Sequence, residues 1–393
     1  MIDPLRLAGR YVLFHRGKSA TLVVGLALAM LLPLGFRVTA GRFRTELTSR
    51  AEAIPWVVGR RGSPVELTLH ALYFEPSETP GTTMATLDRL RAGDSGEAIP
   101  VHVRFRASDA PLVGTTLDYF PRVGLRIEQG RPFGRLGECV VGAAAARRLK
   151  LAVGDRLLTD AENRIDIAGS YPLQLTVAGI AAVADSPDDD AIFVDLKTSW
   201  IVAGIGHGHF EVDRNDPEQV LGPTGQGEPV VASPAVTPFV EITDENLSTF
   251  HFHGDPSEFP ISAVLVWPRD RRAEDLLRGR FVAADEPLQL ADSRRAVDRL
   301  IATVLRLQTL LDAAGIFLGL VSGSFLALVI GLSYQLRQTE RLVLHRLGCA
   351  RATVLQMQLA EWGLILGAAA GIVGVTMLVL WGTGLSLPRD WLT

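Results

Sequence analysis

The chain has 393 residues, 48% hydrophobic and 21% charged, with a net charge of −4. The apolar share is high for an ordinary soluble enzyme, and the charged share is high for a bundle of membrane helices alone. A few spans joined to a large water-exposed domain reconcile the two, and the charge carries no nucleic-acid bias.

Residues 1–18 read as a cytoplasmic amphipathic segment. Leu5, Ala8, Val12 and Leu13 can face lipid while Arg6, Arg10, Arg16 and Lys18 meet headgroups. RGKS at 16–19 ends like a phosphate-binding loop, but Val12 stands where the first glycine is required, so no ATP site is expected. The apolar run 20–36 predicts a first transmembrane helix over 19–41. Arg37, Arg42 and Arg44 follow it rather than a small-residue cleavage site, which favours a span over a signal peptide.

The next segment, 42–292, is long enough for one large or two small folded domains. A strand at Trp56–Val58, a helix over Pro64–Phe74 and a short helix near 83–91 come first. From residue 99 the pattern is mostly β: IPVHVRF, then VGTTLDYF, then GRPFGRLGECVVGAAAARRLKLAVGDRLL with a short Ala-rich helix at 143–150, then LQLTVAGIAAV. DSPDDD (185–190) reads as a solvated acidic turn, with calcium as the alternative. DDDAIFVDLKTSW reads as a turn and a strand, and 212–236 as an exposed loop. ISAVLVWP is a buried strand, 270–280 a helix and FVAAD (281–285) a further strand.

Residues 293–311 form an amphipathic helix with Val297, Leu300, Ile301, Val304, Leu307 and Leu311 on one face. No breaker separates it from the next apolar run, so a stalk helix continuing into a second span is predicted over 293–333. A basic segment at 334–358 precedes a third span at 359–382 and a periplasmic tail at 383–393. The positive-inside rule favours a cytoplasmic N-terminus and a cytoplasmic 334–358 segment. Cys139 and Cys349 then lie on opposite sides of the membrane, so no disulfide scaffold is expected, and Cys139 reads as a core residue.

Gly315, Gly319 and Gly323 in the second span, and Gly363, Gly367 and Gly371 in the third, recur every four residues. That spacing puts them on one helix face, where missing side chains let backbones of the same chain or of a second protomer approach. Two H-x-H pairs, His207/His209 and His251/His253, point their rings to one side of an extended chain. Together they supply imidazoles suited to Zn or another transition metal if the pairs meet.

The segment QTERLVLHRLGCAR, with Glu340, Arg341, Arg346, Leu347, Gly348, Ala350 and Arg351, and AEWGLILG after it, resembles the FtsX-like permease signature. That signature is shared by macrolide-exporter, lipoprotein-release and cell-division ABC permeases. GRPF, ECVVGAAAARRLKLAVGD and LTVAGI resemble the same family's periplasmic core domain. The resemblance implies an α+β membrane protein: three transmembrane helices plus a large mixed α/β extracytoplasmic domain with a β-rich inserted subdomain. It implies residence in the bacterial cytoplasmic (inner) membrane. It makes the seven loop residues the docking site for a partner ABC ATPase that uses ATP, and it implies a second permease protomer. A periplasmic or lipoprotein partner is a further expectation, and no nucleic acid is expected. Family members usually have four spans, so either a fourth helix is missing here or a partner supplies it.

The function expected is a non-enzymatic permease subunit that couples ATP hydrolysis to movement of its outer domain, exporting or releasing a substrate. Two alternatives are a non-transporting regulator of a periplasmic cell-wall hydrolase and an ABC system that handles a transition metal through the histidine pairs. The size of the outer domain favours transport over hydrolase docking.

Overall fold

The computed structural model describes residues 4–93, 96–160, 172–208, 240–283, 285–336, 343, 346 and 350–382. The chain divides into two compact units, one of residues 1–45 and 301–393 and one of residues 46–300.

The first unit is helical. Helix α1 (Pro4–Phe14) is followed after His15 by α2 (Arg16–Ala53), and the two axes bend by 96°. Leu5, Leu13 and Phe14 are exposed, but Ala8 is buried and α1 lies against the last helix, α10 (Arg351–Gly382). Ala8 therefore packs inward, which corrects its assignment to the lipid face. Ala27 of α2 meets Ala369 and Val373 of α10, flanked by Val23, Leu26, Leu31 and Met377. Among the described residues, one helix is long and apolar enough to cross a membrane, at Ala352–Val379. The bent pair Leu5–Phe14 and Arg16–Leu31 passes the same test when joined. Helix α9 (Ser293–Leu336) is a single run of 44 residues, as the absence of a breaker predicted.

The second unit is a mixed α/β domain. Strand β1 (Trp56–Arg60) leads to α3 (Pro64–Tyr73). Ser63 caps α3 by accepting from Glu66 N, Pro64 presets the first turn, and Phe74 closes it in the left-handed region. Then come β2 (Thr82–Thr83), α4 (Met84–Ala92), β3 (Gly96–Ala107), β4 (Ala110–Thr115), α5 (Tyr119–Val123), β5 (Ile127–Gly130), β6 (Glu138–Val141), α6 (Ala143–Leu149), β7 (Arg156–Leu158), β8 (Leu173–Ala181) and β9 (Ile192–Asp195). The remainder is α7 (Leu196–Val202), β10 (Gly206–His207), β11 (Val240–Glu241), β12 (His251–Phe252), β13 (Pro260–Ile261), β14 (Ala263–Pro268), α8 (Arg271–Arg280) and β15 (Leu288–Asp292). Nine strands run in the order β11-β8-β6-β9-β4-β3-β14-β1-β15, with β5 and β7 also paired to β8. One core cluster packs on the β4, β6, β8, β9 part of this sheet and includes Leu112, Cys139, Leu175 and Ile192. A second packs on the β1, β14 part and includes Val58, Leu87, Val264 and Phe281.

Four readings of the sequence change. In VGTTLDYF the strand stops at Thr115, and Tyr119 and Phe120 open α5; Pro121 has no N–H for a ladder but fits a first helical turn. Residues 196–202 form α7 rather than a strand end, because Asp195 caps the helix by accepting from Lys197 N at 2.9 Å. FVAAD is not a strand. The Arg61 guanidinium donates to the Ala283 and Phe281 carbonyls, and the strand comes later, at β15. The acidic run is not solvated at Asp188 and Asp189, which are 1% and 8% exposed within a 3-10 turn at Pro187–Asp190. The predicted loop at 212–236 lies outside the described residues.

Candidate functional site: a pinned helix junction

The feature that sets this domain apart is how the long helices enter it. α2 ends two residues before β1, and β15 runs directly into α9. β1 and β15 are antiparallel neighbours with Trp56 opposite Asp292. The C-terminus of α2 and the N-terminus of α9 therefore meet the sheet at the same end of adjacent strands. Ser293 N donates to Pro55 O at 3.1 Å, tying the two junctions together through the backbone.

The end of α2 is pinned by polar contacts that its own sequence does not announce. Arg50 donates through Nη1 to Asp188 Oδ2 at 2.7 Å and through Nη2 to Asp188 Oδ1 at 2.8 Å. It also donates to the Tyr119 hydroxyl, and Tyr119 donates to Asp188 Oδ1 at 2.6 Å. Arg50 Nε donates to Leu72 O at 3.3 Å. The two charged side chains are 5% and 2% exposed. Burial alone pushes the guanidinium down, but the Asp188 carboxylate and Tyr119 together outweigh it, and Arg50 stays charged. Burial pushes the Tyr119 phenol well up, so it remains a neutral donor. A bidentate pair braced by further hydrogen bonds is the arrangement in which a buried ion pair holds one geometry. Tyr73 Oη donates to Leu47 O at 2.6 Å and Trp267 Nε1 to Ala53 O at 2.7 Å, so α2 is gripped along its last two turns. Gly142 is required here, because a Cβ would strike the Asp188 and Asp189 carbonyls.

Sequence reasoning missed Arg50, Tyr119 and Asp188. The pair is 138 positions apart in the chain, and the only signals were an arginine beyond the outer end of a predicted span and an acidic run containing a capping serine. The same contacts dispose of the calcium alternative at Asp188, whose oxygens accept from Arg50, Tyr119 and Ser186.

Of the seven residues expected to dock an ATPase, Glu340, Arg341, Leu347 and Gly348 lie outside the described residues. Arg346 is helical and exposed, Ala350 is exposed just before α10, and Arg351 opens that helix. Among the described residues, Cβ atoms at Gly319, Gly323, Gly363, Gly367 and Gly371 would meet nothing within 4 Å. On α10 the buried face is Ile365, Ala369 and Val373, two residues out of phase with the glycines and so on the opposite side of the helix. Gly315 is half-buried in α9. His207 on β10, His251 on β12 and His253 just after β12 come together, while His209 lies outside the described residues. Cys139 is a fully buried core residue whose thiol is pushed up by burial, with the Glu138 charge adding to it.

Residues 21–221, just over half of the chain, match the family model of the MacB-like periplasmic core domain. No curated protein matches the chain. Among solved structures, the periplasmic region of MacB from Actinobacillus actinomycetemcomitans is 10% identical and covers 66% of this chain and 97% of its own, at a TM-score of 0.33. The extracellular domain of the noncanonic ABC-type transporter YknZ from Gram-positive bacteria is 14% identical, covering 60% and 97%, at 0.31. A domain of a putative permease protein from Porphyromonas gingivalis is 11% identical, covering 61% and 88%, at 0.26. TM-scores this low add nothing to the family match. On that match the chain belongs to the MacB-like periplasmic core domain family of FtsX/MacB-type ABC transporter permeases, membrane proteins with an extracytoplasmic domain.

Proposed function

We propose that this chain is the membrane subunit of a macrolide-exporter-type ABC system in the bacterial cytoplasmic membrane, and that it relays ATP-driven motion to its outer domain. Three spans, at 19–41, 293–333 and 359–382, carry residues 42–292 outside the membrane and leave 334–358 inside. The cluster of Leu112, Cys139, Leu175 and Ile192 forms the β-rich subdomain, and the cluster of Val58, Val264 and Leu288 forms the unit that receives the helices. A partner ATPase docks on the 334–358 segment, and a second protomer packs on the glycine faces of the second and third spans.

The observation that supports this reading is the junction. α2 and α9 are unbroken helices of 38 and 44 residues that enter neighbouring antiparallel strands. A continuous helix is stiff, and the buried Arg50–Asp188 pair keeps the end of α2 from slipping in its socket. A displacement of the helix is thereby delivered to the sheet rather than lost in a loop. The outer domain then changes shape and expels or releases a substrate on that side.

The test is co-purification of the chain with its partner ATPase. The wild-type chain retains the ATPase, and Glu340→Lys or Gly348→Trp releases it. An ATPase that stays bound after both changes together would overturn the docking assignment.

A further inference from the structure

Residues 206–209 read GHGH and residues 250–253 read FHFH. β10 and β12 pair antiparallel with Gly206 opposite Phe252 and His207 opposite His251. His253 N donates to Ile205 O at 3.3 Å and carries the pairing one step further. Strand alternation then sorts residues 206–208 and 250–253 onto two faces. Phe252 faces inward, with its ring 6.3 Å from Trp200 and 6.1 Å from Phe259. The glycines leave room for these rings: a Cβ at Gly206 would stand 2.6 Å from the Phe252 ring, and one at Gly208 the same distance from Phe250.

The histidines take the outer face. His207 and His253 are exposed and His251 is half-buried. Their ring centroids are 4.7 Å apart for 207 and 251, 4.9 Å for 207 and 253, and 4.6 Å for 251 and 253. One ring nitrogen from each lies within 4.8 Å of the others. His251 Nδ1 is 3.0 Å from the Thr249 carbonyl, so in the neutral ring Nδ1 donates and the lone pair sits on Nε2. A backbone carbonyl behind the ring is a common outer partner of a ligating histidine, because it fixes tautomer and ring direction.

We propose that His207, His251 and His253 form a transition-metal site on the outer domain. Three imidazoles suit Zn²⁺, Cu²⁺ or Ni²⁺ and exclude the hard cations, which take oxygen donors. Around a tetrahedral ion with bonds of about 2.0–2.1 Å the nitrogens stand about 3.4 Å apart. Exposed rings on a short ribbon close that gap by small rotations between staggered side-chain positions. Among the described residues three imidazoles converge, so a tetrahedral ion held there takes its fourth ligand from outside this group. The site is distinct from the helix junction and does not depend on the permease reading.

The test uses the full-length chain in detergent, purified without a polyhistidine tag and titrated with Zn²⁺ alone by calorimetry. The wild type binds one equivalent saturably. His207→Ala and His253→Ala each weaken binding at least tenfold, and His15→Ala leaves it unchanged. His251→Asn keeps an N–H for the Thr249 carbonyl and removes the ligand, so it stays folded and also loses the metal. Zn²⁺ raises the thermal midpoint of the wild type and not of the His207→Ala/His253→Ala double variant. A wild type without a saturable site, or a double variant that binds Zn²⁺ like the wild type, overturns the proposal.

Discussion

The Arg50 junction and the histidine ribbon are polar groupings of one domain with opposite solvation. At the junction both charges are almost fully buried, and the pair makes further hydrogen bonds with Tyr119, Leu72 and Ser186. On the ribbon two of three imidazoles are exposed, and their ring nitrogens converge on one another. The first arrangement holds a single geometry and cannot exchange partners cheaply. The second keeps contact with water and can take up an ion at little structural cost. Within one fold, then, burial marks the polar group that fixes a geometry, and exposure marks the one suited to bind something.

The comparison is sharpest when the buried pair is cut. Asp188→Ala leaves Arg50 charged in the interior, and thermal or denaturant unfolding should record a loss of about 3–5 kcal/mol. The double variant Arg50→Met/Asp188→Leu removes both charges and should recover most of that loss. Equal losses in the single and the double variant would mean that packing, not charge, holds the α2 end.

A second buried polar group gives a pH test. His102 is 3% exposed, and its Nδ1 is 3.0 Å from Ser199 Oγ, whose hydroxyl donates to Leu196 O at 2.7 Å. The ring therefore donates through Nδ1 and is neutral. Burial, with Arg104 and His70 nearby, pushes its pKa down to about 4. The unfolded chain takes up this proton near the ordinary value of about 6.5. Between those values the unfolded state binds more protons, so the contribution is fully present above about pH 6.5 and is lost as pH falls towards 4. The loss amounts to at most about 3 kcal/mol. His102→Asn should flatten stability over that window, and an unchanged pH profile would remove His102 as the sensor.

Exposed charges should matter far less. Arg135 and Asp244 pair at 2.7 Å but are 60% and 78% exposed, and Arg135→Ala should change stability by about 1 kcal/mol or less. The smallest effect belongs to the glycine face. A Cβ at Gly367 meets nothing within 4 Å among the described residues, so Gly367→Leu should not lower the unfolding midpoint of the monomer. Chemical crosslinking between protomers should be lost if that face is where the second copy packs, and crosslinking at the wild-type level would place the contact elsewhere.

What the sequence revealed divides along local and long-range physics. Pro64 after Ser63, the uninterrupted run from Ser293 and the Ala-rich turn at 143 are local signals, and α3, α9 and α6 follow them. α7 carried a local signal too, in Asp195 followed by LKTSWIV, but the β-rich FVD before it hid the cap. The FVAAD error was tertiary. Those carbonyls are held by Arg61, more than 200 positions away, and no window in the sequence contains that contact. The Arg50–Asp188 pair was hidden for the same reason, and a run of three aspartates reads as solvent-facing until an arginine is known to meet it. The histidine pairs were legible as motifs. Their meeting depended on the β10–β12 register, which the spacing between the motifs does not encode.

The relay requires the outer domain and the 334–358 segment to face opposite sides of the bilayer. Cysteine labelling of intact cells with a membrane-impermeant maleimide tests this directly. Cys139 is buried and silent, so native Cys349 reports on the segment, and exposed Glu128→Cys in a Cys349→Ala chain reports on the domain. The account predicts labelling of Glu128→Cys in intact cells and of Cys349 only after permeabilisation. Equal accessibility of the two positions in intact cells would contradict it.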